Sequence, residues 1–202
     1  MLDKRTTVLI DGPVGKLETV INLPTGEARG IALVAHPHPL FGGTLDNKVV
    51  QTLANTFVSL GCVALRMNFR GVGASEGVHD EGRGETDDWL AVHEYARSYY
   101  PDLPLFLAGF SFGAYVQSEV ARRIACQKMV LIGPAVSTCA LGPVAANTLV
   151  MHGELDDTIP LAHVLRWAAP QDLPIVVVPG SDHFFHRRLH LIREWVTLAC
   201  RF

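Results

Sequence analysis

From residue 31 onward, short, mostly apolar runs alternate with stretches of helical spacing. That alternation restricts the possible folds more than any other feature of the chain. The apolar runs lie at residues 31–35, 62–67, 105–108, 129–132, 148–151 and 175–178, and each predicts a strand. The spacing predicts helices over residues 46–60, 85–100, 112–125, 160–168 and about 185–200. In the first of these, Val49, Val50, Leu53, Ala54, Phe57 and Val58 fall on one stripe, and Gly61 stops it. Pro101 ends the second, and Pro160 occupies a first-turn position in the fourth, where proline is tolerated. Strands alternating with helices imply a mostly parallel sheet covered on both faces. Residues 7–10 and 17–23 read as two further strands joined by a turn at Asp11-Gly12-Pro13. The second alternates Leu17, Thr19, Ile21 and Leu23, which suits a partly exposed antiparallel edge. The expected fold class is therefore α/β: about eight strands, an antiparallel N-terminal edge and helices on both faces.

The chain has 202 residues, 49% hydrophobic and 18% charged, which fits one domain over residues 1–202 with a substantial core. A net charge of -3 and the lack of any polybasic run argue against nucleic acid or an anionic membrane surface as partner. The N-terminus has no apolar signal core, and no run approaches the roughly 20 apolar residues of a membrane span. Cys62, Cys126, Cys139 and Cys200 form no Cys-x-x-Cys pair and read as reduced packing residues. A soluble cytoplasmic protein is expected. The sequence does not fix the oligomeric state, and a homodimer through an edge strand or exposed helix is compatible with it.

Gly109-Phe110-Ser111-Phe112-Gly113 sits where the chain passes from the strand at 105–108 to the helix at 112–125. A serine in a Gly-x-Ser-x-Gly turn of this kind is held on a tight strand-to-helix bend with its hydroxyl exposed at the sheet edge. The glycines suit a cramped turn, and the helix N-terminus behind it favours developing negative charge. Alone, the five residues could equally be a glycine-rich turn. The strand before and the helix after favour a nucleophile.

A serine hydroxyl needs a general base, and the base needs an orienting acid. In this architecture the order along the chain is Ser, then Asp or Glu, then His, each at a strand end. Asp156 follows the strand at 148–151 and is the candidate acid. The plainer reading is that Asp156 or Asp157 only caps the next helix, and Glu154 is a weaker alternative. His183 follows the strand at 175–178 and a glycine turn, and is the candidate base. Asp182 beside it reads as a turn residue. His79, His93, His163 and His190 read as surface or packing residues.

An oxyanion hole needs two backbone N–H donors. Phe112, directly after the nucleophile, supplies one. The second is expected from the loop His36-Pro37-His38-Pro39-Leu40-Phe41-Gly42-Gly43. Pro37 and Pro39 have no N–H, which leaves His38, Leu40 and Phe41, and Leu40 is preferred because two prolines stiffen the loop before it. His36 and His38 themselves read as loop-packing residues.

With these residues assigned, the chain resembles the α/β-hydrolase superfamily over nearly its whole length, and most of all its small, lidless bacterial members related to dienelactone hydrolases. The blocks that carry the resemblance are residues 36–50, Asn68-Phe69-Arg70-Gly71-Val72-Gly73-Ala74-Ser75-Glu76-Gly77, and residues 80–85. It implies Ser111, Asp156 and His183 as a catalytic triad, with no metal or organic cofactor. It departs from dienelactone hydrolases at the nucleophile, which is serine here and cysteine there. Residues 133–147 are too short for the lid that many relatives insert, so an open, shallow site is expected. Arg70, Asp80, Glu81, Arg83 and Glu85 read first as an ion-pair network bracing the loop after Phe69, and second as binders of a polar substrate.

The expected activity is hydrolysis of small soluble esters or thioesters. Two rivals come from other classes. His36, His38, His183 and His186 could hold a metal for metal-dependent hydrolysis, although no His-Glu-x-x-His helix is present. A non-catalytic binding protein on the same fold is the other.

Overall fold

The computed structural model describes residues 5–202. Residues 1–4, part of the N-terminal reading above, lie outside the described residues. One eight-stranded sheet forms the centre, in the order β1-β2-β4-β3-β5-β6-β7-β8. Its strands are β1 (Arg5–Asp11), β2 (Lys16–Asn22), β3 (Gly30–Ala35), β4 (Cys62–Met67), β5 (Leu105–Phe110), β6 (Lys128–Ile132), β7 (Leu149–Gly153) and β8 (Ile175–Val178). β1 pairs antiparallel with β2, and β2 antiparallel with β4. All pairings from β4 to β8 are parallel. The helices are α1 (Lys48–Ser59), α2 (Arg83–Tyr99), α3 (Phe112–Ala121), α4 (Leu161–Ala168) and α5 (Leu189–Cys200).

Side chains alternate across each strand, so the central strands must be apolar on both faces. Ile31, Leu33 and Ala35 of β3 share one core layer with Trp89 and Val92 of α2 and Val116 of α3, and Val164 of α4 joins the same layer farther along the sheet, over β7. Ala32 and Val34 face the opposite layer, where Leu53 and Phe57 of α1 meet Ile192 and Val196 of α5. All six residues of β3, β4 and β5 are buried, which accounts for their apolar runs; the exception, Arg66 of β4, donates to Leu45 O at 2.7 Å.

Most boundaries lie within a few residues of the sequence reading, and the larger differences have physical causes. α3 ends at Ala121, four residues early, because the chain turns there to reach β6: Arg123 N–H closes on Val120 O at 2.9 Å. α5 starts at Leu189, not near 185, because Phe185 (φ 54°) and Arg187 (φ 61°) are left-handed and cannot belong to a right-handed helix. The loop after β3 holds a one-turn 3-10 helix at Pro39–Phe41 that the two prolines hid. Among the described residues no helix is long and apolar enough to cross a membrane. The four cysteines are unpaired.

Candidate active site

Parallel strands deliver their C-terminal ends to one edge of the sheet, and the candidate residues stand on the loops that leave that edge. Ser111 follows β5 directly and precedes α3, at φ 56° and ψ -117°. A non-glycine residue holds such a conformation only where its surroundings impose it. Here they do. Ser111 N–H donates to Ile132 O at 2.9 Å, which ties the bend to β6. A Cβ on Gly113 would lie 2.5 Å from the carbonyl oxygens of Ala35 and His36, and a Cβ on Gly109 would strike the Gly113 carbonyl. The two glycines therefore let the elbow close on itself and press against the end of β3.

His183 stands on the loop after β8, and Asp156 on the loop after β7. The His183 Nε2 lies 3.1 Å from Ser111 Oγ, and its Nδ1 lies 2.6 Å from Asp156 Oδ2. The other carboxylate oxygen, Oδ1, accepts the amides of Thr158 (3.0 Å) and Ile159 (2.7 Å), so the acid is held at both oxygens. Ser111, Asp156 and His183 are all buried, with the serine 8% exposed at the base of the pocket. With Oδ2 accepting at 2.6 Å, the imidazole carries its proton on Nδ1 and presents a bare Nε2 to the serine.

The loops that carry Asp156 and His183 are stitched together. Leu155 N–H donates to Ser181 O at 2.9 Å, and the Glu154 carboxylate accepts the Gly180 amide at 2.9 Å. Glu154 thus braces a loop and makes no contact with the His183 ring. Asp182 accepts both the backbone amide and the ring Nδ1 of His186, as a turn residue would. Asp157 is exposed, with only the Thr158 hydroxyl near it at 3.5 Å.

The Phe112 amide, at the first position of α3, has no partner among the described residues. Leu40 is placed differently from the sequence expectation. His38 caps the short 3-10 turn, so the Leu40 amide points back to His38 Nδ1 at 3.3 Å, and the side chain is 70% exposed. The amides of Phe41, Gly42 and Gly43 donate to backbone carbonyls in the same turn. That leaves the His38 amide as the one N–H from residue 38 to 43 without a partner among the described residues.

The four histidines of the metal reading do not share a centre. His36 is fully buried: its Nδ1 meets Pro37 O at 2.7 Å, and its Nε2 accepts the Phe69 amide at 2.9 Å. Burial pushes its pKa down to about 4. His183 faces Ser111 and His186 faces Asp182. Among the described residues no group of three or more His, Cys, Asp or Glu is placed to hold a metal ion.

A small pocket of about 120 Å³ opens over Ser111 and His183, walled by Pro37, His38, Phe41, Gly43, Thr158 and Phe184. Beyond His38 and Phe41 it adjoins a wider cleft of about 550 Å³ lined by His79, Glu81, Phe112, Tyr115 and Thr138. Beneath the cleft lies the ion-pair network. Arg70 makes two 2.7 Å contacts to Asp88 and one to Gly84 O, and the paired carboxylate raises its pKa. Glu85 accepts from the amides of Asp80 and Gly82 and meets His79 Nδ1 at 2.7 Å. Glu81 belongs to the cleft wall. Asp88, the buried centre of the network, escaped the sequence reading because it resembles any polar helix residue.

A serine at a strand-to-helix elbow, with an aspartate and a histidine on the loops of the last two strands, is the layout of an α/β hydrolase. It is a lidless one, since residues 133–147 add no helix or strand between β6 and β7. The Hydrolase_4 family model, described as serine aminopeptidase, S33, matches residues 41–176, and the chain belongs to that family. An α-β serine hydrolase homologue from Coxiella burnetii is 37% identical, with a TM-score of 0.92 over 99% of both chains. A lidless serine hydrolase from Xanthomonas campestris is 35% identical, with a TM-score of 0.93 over 98% of this chain and 94% of its own. An uncharacterised protein of Rickettsia prowazekii (strain Madrid E) is 33% identical over 88% of this chain and 81% of its own.

Proposed function

We propose that the protein hydrolyses carboxylic ester or thioester bonds of small soluble substrates through an acyl-enzyme on Ser111. The observation that carries this reading is the unbroken chain of contacts from Ser111 Oγ through His183 to Asp156. Ser111 Oγ attacks the acyl carbonyl while its proton passes to His183 Nε2. Asp156 stabilises the imidazolium that forms. The tetrahedral oxyanion is met by the Phe112 amide and, in place of Leu40, by the His38 amide. His183 then returns the proton to the leaving alcohol or thiol as its bond to the acyl carbon breaks. Water, deprotonated by His183, attacks the acyl carbon; the acyl–Oγ bond then breaks, His183 returns the proton to Ser111 Oγ, and the carboxylic acid leaves. The small pocket over Ser111 suits a short acyl group, and the wider polar cleft suits a leaving group with hydrogen-bonding atoms. Four unpaired cysteines support a reducing compartment such as the cytoplasm.

The test is intact-protein mass spectrometry after a fluorophosphonate probe, on wild type, Ser111→Ala and His183→Ala. A single phosphonyl adduct on wild type, absent from Ser111→Ala and strongly slowed in His183→Ala, is expected. Hydrolysis of p-nitrophenyl acetate and an acetyl thioester should follow the same order. A folded wild type that takes no adduct and turns over neither substrate refutes the proposal.

A further inference from the structure

A second histidine touches the catalytic acid, and neither the motifs nor the mechanism above uses it. His152 is the fourth residue of β7, in register with Val177 of β8, and its side chain is fully buried. Its Nε2 lies 2.8 Å from Ile159 O and 3.3 Å from Asp156 Oδ2, the same oxygen that holds His183. Both neighbours are acceptors, so Nε2 carries a hydrogen. Nδ1 is buried with no partner. A second proton on Nδ1 would therefore have nothing to donate to, and burial accordingly lowers the pKa of this ring. His152 is thus a neutral, fixed donor on a rigid strand.

Ile159 is gripped from both sides. Its carbonyl accepts from His152, and its amide donates to Asp156 Oδ1 at 2.7 Å. We infer that His152 is a positioning residue for the catalytic acid: it clamps the 156–159 loop and sets a polarised N–H beside the Asp156 oxygen that orients His183. The titratable groups that face it are Asp156 and, beyond it, His183. The N–H draws negative charge on Oδ2 away from His183 and limits how strongly that imidazole binds a proton.

The inference rests on the esterase reading, so the experiment separates the two. Wild-type Ser111-dependent turnover of p-nitrophenyl acetate tests that reading first. His152→Leu keeps the volume and removes the donor, and His152→Gln returns an N–H near the Nε2 position. In His152→Leu, kcat should fall about tenfold with KM within about twofold. The acid limb of kcat/KM, and the His183 titration followed by NMR, should move up by about half a pH unit. His152→Gln should restore the limb. A limb that stays in place or moves down in His152→Leu overturns the inference while leaving the esterase reading intact. Should His152→Leu fail to fold, the wild type decides with selectively 15N-labelled histidine. A His152 ring protonated at Nε2 alone is expected, and one protonated at Nδ1 overturns the inference.

Discussion

His36 ties the loop after β3 to the loop after β4 as a neutral base, and acid should undo that tie. Its Nε2 accepts the buried Phe69 amide at 2.9 Å, so protonation removes the acceptor that amide depends on. Its pKa is about 4 in the folded protein against 6.5 for the free side chain. Because the folded value is the lower one, the contribution is fully present above about pH 6.5 and is lost as pH falls towards about 4. Between about pH 7 and pH 5 the loss works out at about 2 kcal/mol. His36→Leu removes this titration but leaves the Phe69 amide unsatisfied, at a cost of about 1–3 kcal/mol. Wild type should therefore exceed His36→Leu in stability at about pH 7, and the gap should shrink by about 2 kcal/mol by pH 5. Urea unfolding of both proteins, at half-unit pH steps, measures the gap directly. A gap that stays constant across that range refutes the reasoning, since no other titrating group differs between the two proteins.

Asp156→Asn keeps the two amide contacts at Oδ1 but loses the charge that orients His183, and should lower kcat on p-nitrophenyl acetate roughly ten-thousandfold. Its melting temperature should change little. Arg70→Met strands the fully buried Asp88 carboxylate and should cost about 3–5 kcal/mol in urea unfolding. Gly113→Ala drives a Cβ into the carbonyls of Ala35 and His36, and should cost about 2–4 kcal/mol in denaturant unfolding. Fluorophosphonate labelling of the folded fraction should fall with it, because the collision sits at the elbow itself.

How much of this was legible in the sequence depended on the range of the interaction involved. The positions of the strands, including buried β3, β4 and β5, follow from local apolar pattern, and so do the placing of α1 within residues 46–60 and its stop at Gly61. Chain order and strand-end position single out Ser111, Asp156 and His183, and the fold brings those three together. The residues that escaped are of another kind. His152 looks like one apolar-strand histidine among nine, and only its approach to Ile159 and Asp156 shows what it touches. Asp88 is an ordinary helix residue until Arg70 reaches it across 18 positions. Loop stiffness favours Leu40, but the cap by His38 Nδ1 is a side-chain contact that spacing does not encode. The late start of α5 rests on left-handed Phe185 and Arg187, neither a residue that usually signals such a turn.

Gly113 has a consequence that reaches past its own turn. The two backbone segments that meet there, the start of α3 and the end of β3, lie so close that no side chain fits between them. The Phe112 amide stands on the first of these segments, and the His38 amide on the loop that leaves the second. The walls that would choose among substrates are Phe41, Phe184, His79 and Tyr115, whose side chains project from the surrounding loops and helices. Under the proposed function, Phe184, His79 and Tyr115 would act on selectivity from elements other than the elbow, whereas Phe41 shares its turn with His38. A change of preferred ester should be obtainable by exchanging wall residues alone, with the nucleophile and its supports left untouched.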